Sequence, residues 1–404
     1  MHKRSLGLSL FGGLAIIVAA CGGGATPTPS AASQPPASQA APSAPGSAPA
    51  SAPASQAATS NLKIGVVTDI GTLNDKNYNE YSFKGAEEGA AAIGAEAPKS
   101  IVPTSASEYA SSIKSFVDQK FDVIITVGFN LASATVQAAH DNPNTWFIGV
   151  DQSPICVTAD GLPDSTFACP GDAKTLLPKY MSVWFQEDQA GYLAGIVAAG
   201  ASKSNTIAAI GGTSICAPCV RYIQGYELGA KSVKPDIKVI TAYVTNDFSA
   251  AAFQDQAGGK TYATNFLAQN KTVDVLFQVA GLTGNGILDA ACAKVDKDGA
   301  PLVYGIGVDV DQFISYPDAG PCLLTSAEKH LQLAVSDALK AVAGGAAAPG
   351  NVLYDAKNNG IGVSQGHNLG DKWAPGVVDL LNKALAGMKD GSLKTCPEKC
   401  GVAG

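Results

Sequence analysis

Three aspartates end three separate runs of apolar, β-branched residues: Asp69 after 63–68, Asp151 after 146–150 and Asp309 after 303–308. An ionised carboxylate can accept two hydroxyl hydrogen bonds, and such charge-assisted bonds are about twice as strong as neutral ones. One aspartate at a strand end is explained as a turn or helix cap. Three read differently once Phe129 and Phe248 are seen to follow the runs 123–128 and 237–244 in the same way. Acids that grip hydroxyls and rings that stack on a flat heterocycle describe a site for a hydroxyl-rich ligand bearing a ring. The run Asp69-Ile70-Gly71-Thr72-Leu73-Asn74-Asp75-Lys76-Asn77-Tyr78-Asn79 adds further carboxylates, amides, an ammonium and a phenol ring. Gly281 opens Gly281-Leu282-Thr283-Gly284-Asn285-Gly286. That loop lacks the Lys-Ser/Thr ending of a phosphate-binding loop, so its glycines are read as letting the backbone approach a ligand closely.

These positions share one structural context. Strand patterns at 63–68, 123–128, 146–150, 206–211, 237–244, 273–279 and 303–308 alternate with helix patterns at 77–93, 108–119, 131–140, 181–199, 220–233, 253–269 and 286–294. Repeated alternation predicts α/β architecture with doubly wound parallel sheets, and near-continuous apolar strands fit sheets covered on both faces. In such sheets small ligands bind at the carboxyl ends of the strands, where the aspartates and phenylalanines stand. One strand series ends near Asp151 and a second opens near Thr206, which predicts two lobes facing each other across a cleft. A helix over 325–342 and a short strand over 360–363 are expected to cross back between lobes. The expected limits are 61–180 with 325–345 for the N-terminal lobe, and 181–324 with 346–404 for the C-terminal lobe.

The N-terminus predicts the compartment. Lys3 and Arg4 precede an apolar stretch over 6–20, too short for a membrane span, which closes on Val18-Ala19-Ala20-Cys21. Small residues before a cysteine form a bacterial lipobox pattern, so 1–20 is expected to be a signal peptide and Cys21 the lipid-bearing first residue of the mature chain. The following residues, to Ser60, are rich in Pro, Ala and Ser and carry no charge or aromatic ring. They are expected to form a disordered linker holding the folded part off the membrane. The formal net charge of −7 and the absence of a Lys/Arg cluster argue against nucleic acid as a partner.

His140, His330 and His367 show no metal-ligand spacing, and neither a metal nor another cofactor is expected. Of nine cysteines, eight remain after Cys21, an even set that outside the cytoplasm implies disulfides of short range with open connectivity. Cys216-Ala217-Pro218-Cys219 allows three readings: a redox-active pair, half of a zinc site completed by Cys396 and Cys400, or a structural disulfide at the rim of the ligand site. The last fits a motif placed so deep in the chain.

Several motifs in one order resemble the basic membrane protein family of bacterial lipoproteins. Val67-Thr68-Asp69 with Asp75-Lys76-Asn77-Tyr78-Asn79 is similar to the family's V-T-D followed by D-K-S-F-N. Val127-Gly128-Phe129, Phe185 to Gly195, Arg221 to Tyr226, Ala280 to Gly286, Gly307 to Gln312, and Thr325-Ser326 with Lys329 continue the resemblance from about 62 to 363. It implies a type I periplasmic-binding fold with a hinge, acting as the substrate-binding protein of an ABC transporter. Tyr78 and Phe248 would sandwich a purine base, with Asp69 and Asn79 on its polar edge. Asp151, Asp309 and Lys329 would hold the ribose hydroxyls. Asn77, where the family has Ser, would lie beside the base, and Phe129 and Gly281 would complete the wall.

The expected protein is therefore a monomer, lipid-anchored outside the cytoplasm, that captures a nucleoside between two lobes and delivers it to a membrane permease. No catalytic residue is expected. The alternatives are the same fold binding a sugar or autoinducer, and an enzyme in which Asp69, Asp151 and Asp309 act as a nucleoside hydrolase's carboxylates. Scattering of these acids over separate strands argues against the enzyme.

Overall fold

The computed structural model describes residues 60–152 and 155–403. The expected signal peptide, Cys21 and nearly all of the linker lie outside the described residues. Among those described, twelve strands form in chain order: β1 (Ile64–Val67), β2 (Lys99–Ile101), β3 (Val123–Val127), β4 (Trp146–Val150), β5 (Tyr180–Phe185), β6 (Thr206–Thr213), β7 (Lys238–Thr245), β8 (Val275–Val279), β9 (Tyr304–Asp309), β10 (Leu323–Lys329), β11 (Gly350–Tyr354) and β12 (Ile361–Val363). They build two six-stranded sheets, ordered β11-β5-β4-β3-β1-β2 and β12-β10-β9-β8-β6-β7. Every pairing is parallel except β10 with β12.

Burial explains the strand sequences. All residues of β1 and β3 are buried, because helices cover both faces of the sheet. One face packs through Ile124 and Phe147 on Phe116, Val136 and Ala139 of the helices Tyr109–Asp118 and Ala132–Asp141. The opposite face joins Val66, Ile125 and Ile148 to Ala86, Ala90, Val335 and Leu339 of the helices Tyr78–Ala92 and Leu331–Ala343.

In the second half the helices Glu187–Ala201 and Ala217–Val233 pack backbone to backbone. A Cβ on Gly191 or Gly195 would stand 2.0 Å from the carbonyl of Tyr222 or 2.1 Å from that of Tyr226; one on Gly225 or Gly229 would stand 2.0 Å from that of Asp188 or 1.9 Å from that of Tyr192. These two small-residue stripes fix how deeply Glu187 and Arg221 sit. Gly229→Ala is expected to lower unfolding free energy by about 1–3 kcal/mol through overpacking. Urea denaturation at unchanged m-value measures it, and a stability equal to wild type would refute the close-contact account.

Three connections run between the sheets: Gln186, His330, and the turn from Asp355 to Gly360. They lie side by side, Gln186 N donating to the Tyr354 carbonyl at 3.0 Å and His330 N to the Gly360 carbonyl at 2.9 Å. Interaction with Glu328 raises the His330 pKa above the ordinary histidine value, against the opposing effect of burial. A raised folded-state pKa gives stability that is complete below about pH 6.5 and lost as pH rises through the folded value. His330→Gln should therefore lose less than about 1 kcal/mol at pH 6 and less still above pH 8; a pH-independent difference in thermal melts would contradict this.

The strand patterns at all seven expected places have counterparts, but the sheets correct the expected lobe limits. Residues 181–185, given to the second lobe as helix, belong to β5 of the first sheet; 325–329, given to the first lobe as helix, belong to β10 of the second. β11, assigned to the second lobe, pairs with β5 in the first sheet. The causes differ: a single residue, Gln186, separates β5 from the next helix, so one helix pattern covers both, whereas β10 ends on Thr-Ser-Ala-Glu-Lys and lacks an apolar strand pattern. β12 forms where the short strand was expected.

The eight remaining cysteines form four short-range disulfides: Cys156–Cys169, Cys216–Cys219, Cys292–Cys322 and Cys396–Cys400. Asp188 lies with Cys396 and Cys400 in ligand range of a common point, yet the two sulfurs are bonded to each other and offer no thiolate. The zinc reading is thereby corrected.

Candidate functional site

The carboxyl ends of β1, β3 and β4 face those of β6, β7, β8, β9 and β10 across a cavity of about 110 Å³. Asp69, Asp151 and Asp309 all line it, and so do Phe129, Phe248 and Gly281. Tyr78, Asn79 and Lys329 complete the wall. Nine of the ten expected ligand residues therefore converge. Asn77 does not: it is fully buried at the residue before the helix Tyr78–Ala92, outside the lining. The turn that presents Tyr78 and Asn79 is held by Asp75, whose carboxylate accepts the backbone N–H groups of Asn77, Asn79 and Glu80 at 2.9, 2.8 and 3.1 Å. These are bonds the free helix start requires.

Lys329, at the end of β10, carries the centre of charge. Its Nζ lies 2.6 Å from Asp151 Oδ2, 3.4 Å from Asp309 Oδ1 and 3.9 Å from Glu187 Oε1, and the side chain is only 4% exposed. Burial alone would lower the ammonium pKa, but the three carboxylates outweigh it and hold the group charged, above the ordinary lysine range. Asp309 is also moved up from its usual value, by burial and against the pull of Lys329. Tyr222 Oη donates to Asp309 Oδ1 at 3.2 Å, and Arg221 Nε donates to the second oxygen of Glu187 at 2.6 Å. Asp151 and Asp309 both sit at positive φ, 59° and 65°, the bend that turns each carboxylate off its strand end into the cleft.

Asp69 forms a second polar centre. It accepts hydrogen bonds from the Tyr109 hydroxyl, from Asn130 Nδ2 at 3.1 Å and from the Ile70 backbone at 2.7 Å. Burial raises its pKa and these bonds oppose the rise. Beside it Gly128 adopts φ 115°, and a Cβ there would meet Asp69 Oδ2 at 2.8 Å, so only glycine leaves the carboxylate in place. The phenol of Tyr78 donates to the Val150 carbonyl at 3.4 Å, and the Lys329 ammonium lies 4.9 Å from its ring centre. Phe129 and Phe248 touch across the cleft with ring centroids 5.2 Å apart.

Two polar atoms on the wall have no partner: Asp151 Oδ1 and Asn79 Oδ1 are buried and unbonded. Buried acceptors of this kind cost free energy until something donates to them.

A model of the family described as ABC transporter substrate-binding protein, PnrA-like, matches residues 62–388. The chain belongs to that family. It is 30% identical over 352 residues to the ABC transporter nucleoside-binding protein BmpA of Lactococcus lactis, covering 84% of this chain and 90% of the relative. Basic membrane protein D of Borreliella burgdorferi is 27% identical over 80% of this chain and 83% of its own length. In fold the chain is similar to an ABC transporter solute-binding protein of Aeropyrum pernix K1, with a TM-score of 0.69 at 21% identity, covering 84% of this chain and 94% of that one. Two mostly parallel six-stranded sheets with interleaved helices are the type I periplasmic-binding fold expected from the motifs. Among the described residues no helix is long and apolar enough to cross a membrane.

The sequence reading overlooked Glu187, Arg221, Tyr222, and the partners Tyr109 and Asn130. Glu187 had a signal available: it stands two residues beyond β5, so recognising that strand would have placed it at a strand carboxyl end with the other acids. Tyr109 and Asn130 come from other elements and reach Asp69 only through the fold.

Proposed function

We propose that this substrate-binding protein captures a purine nucleoside between its two halves and delivers it to a membrane permease, with no bond made or broken. The observation that carries the reading is the pair of unpartnered acceptors, Asp151 Oδ1 and Asn79 Oδ1, on an aromatic-walled cavity whose ion cluster joins both sheets. Ribose hydroxyls supply donors for Asp151 and Asp309, with Lys329 donating in return. The base stacks among Tyr78, Phe129 and Phe248, its polar edge on Asp69 and Asn79. The nucleoside-binding relative supports the ligand class. Closure is a hinge motion at Gln186, His330 and the 355–360 turn, driven by a ligand that touches both halves only when they approach. Lipid anchoring at Cys21 would hold the protein beside its permease.

Fluorescence titration and thermal shift with adenosine, guanosine, inosine and uridine test the proposal. Saturable binding of at least one purine nucleoside is expected; no response to any of the four would refute it. A response to a free sugar alone would favour a site that uses the acids without the base edge.

A further inference from the structure

The helix Ala217–Val233 starts at the cavity wall, and the Cys216–Cys219 disulfide closes its first turn. Cys216, Pro218, Cys219 and Tyr222 all line the cavity. Cys216 is the residue before the helix, and its Sγ accepts the Cys219 backbone N–H at 3.2 Å. None of the other three disulfides has a cysteine on the cavity wall. This one also closes the shortest loop, a sequence separation of 3, so it removes the least chain entropy from the unfolded state. Its physical effect is local. It fixes the turn that delivers Tyr222 to Asp309 and Arg221 to Glu187, the two bonds that brace the ion cluster from behind. Asp151 and Asn79, whose Oδ1 atoms are buried and unpartnered, line the same cavity.

We propose that the Cys216–Cys219 disulfide is a redox-responsive part of the ligand site, and that its oxidation state sets ligand affinity; the ligand class rests on the nucleoside reading above. Oxidised, the pair presents an apolar, donor-free wall and a fixed first turn. A dithiol reductant breaks the S–S bond, transferring two electrons and two protons, and is itself oxidised to a disulfide. The product is two thiols, held apart by contact distance instead of a bond, with S–H donors facing the cavity and the first turn released. Tyr222 then no longer holds Asp309 in register for a hydroxyl. Both cysteines are buried, 2% and 7% exposed, so a seated ligand shields the bond as well as stabilising its oxidised form. Linkage makes the effect reciprocal: whatever factor reduction removes from affinity, bound ligand must add to the preference for the disulfide.

The test uses the full folded domain with all four disulfides formed. Adenosine, guanosine and inosine are titrated into oxidised protein and into protein equilibrated with dithiothreitol, with peptide mapping after alkylation to report which pairs have opened. The Cys216→Ser/Cys219→Ser variant, which leaves the other three disulfides intact, is titrated in parallel, with circular dichroism to verify its fold. The expected result is affinity about 5- to 50-fold weaker in the reduced protein and in the variant. Saturating nucleoside should shift the dithiothreitol redox midpoint of this pair by the same factor. Equal affinities in the oxidised and reduced forms, or a midpoint indifferent to nucleoside, would overturn the proposal even if the variant did not fold. Oxidised protein that binds none of the three nucleosides overturns the nucleoside reading and this one together, whereas tight binding that survives reduction overturns this one alone.

Discussion

Replacing Lys329 by Met should abolish nucleoside capture and destabilise the protein at neutral pH. Among the described residues the ammonium is the one cation shared by Asp151, Asp309 and Glu187, and it joins an acid of the first sheet to acids around the second. Removing one partner of a buried ion pair typically costs about 3–5 kcal/mol, because the charges left behind are uncompensated. Arg221 still neutralises one oxygen of Glu187 but has no contact of that kind with Asp151 or Asp309. Affinity should fall by at least about 100-fold, the equivalent of one lost hydrogen bond to a charged group at the upper end of its range. The loss has a pH signature. Burial already raises the folded-state pKa values of Glu187 and Asp309, and without the opposing pull of the lysine they rise further above their unfolded values. Such groups contribute stability below the unfolded pKa that is lost as pH rises through the folded one. The variant's deficit relative to wild type should therefore be largest near pH 7 and shrink toward pH 4. Calorimetric titration and urea denaturation across that range measure both effects. A variant that keeps its affinity, or whose deficit does not change with pH, would show that Lys329 is not the electrostatic hub.

Asp69→Ala should cost discrimination more than overall binding. The carboxylate takes hydrogen bonds from Tyr109, Asn130 and the Ile70 backbone, and its remaining acceptor capacity faces the cavity beside Asn79. Losing a hydrogen bond to a charged acceptor is worth about 1.5–3 kcal/mol, or roughly 10- to 100-fold in affinity. On the proposed reading that penalty should fall on purine nucleosides, whose base edge would meet Asp69, and spare the ribose contacts proposed for Asp151, Asp309 and Lys329. The ratio of purine to uridine affinity should collapse toward one. Tyr109 and Asn130 lose their partner as well, so stability should drop by about 1–3 kcal/mol. Asp69→Asn, which retains one acceptor oxygen, should fall between. If all four nucleosides weaken by the same factor, Asp69 supports the site without reading the base.

Much of this site was legible before any coordinates because parallel sheets put their chemistry at one kind of place. An acid or ring that directly follows an apolar run is at a strand carboxyl end, so Asp69, Phe129, Asp151, Phe248 and Asp309 could be picked from position alone. Lys329 could not: β10 ends on Ser-Ala-Glu-Lys, too polar at its end to read as a strand, and only the family motif pointed to it. Glu187 was hidden because one residue, Gln186, separates β5 from the following helix, so the polar run 186–189 reads as one turn inside a continuous helix pattern. Asn77 was misjudged for the opposite reason. It adjoins two cavity residues in sequence, but neighbours at a helix start point in different directions, and its side chain turns into the protein. The helix Val377–Asp390 and the tail that bonds Gln224 from Lys399 and Val402 bear on the site only through packing, which no local pattern encodes.

The most direct test of the account is to identify what the protein carries. Mass spectrometry of small molecules released on denaturing the purified protein, without restriction to any compound class, should find a purine nucleoside in near-stoichiometric amount, and Lys329→Met protein should release none. Recovery of a different metabolite at that level, one without a purine ring, would contradict the account.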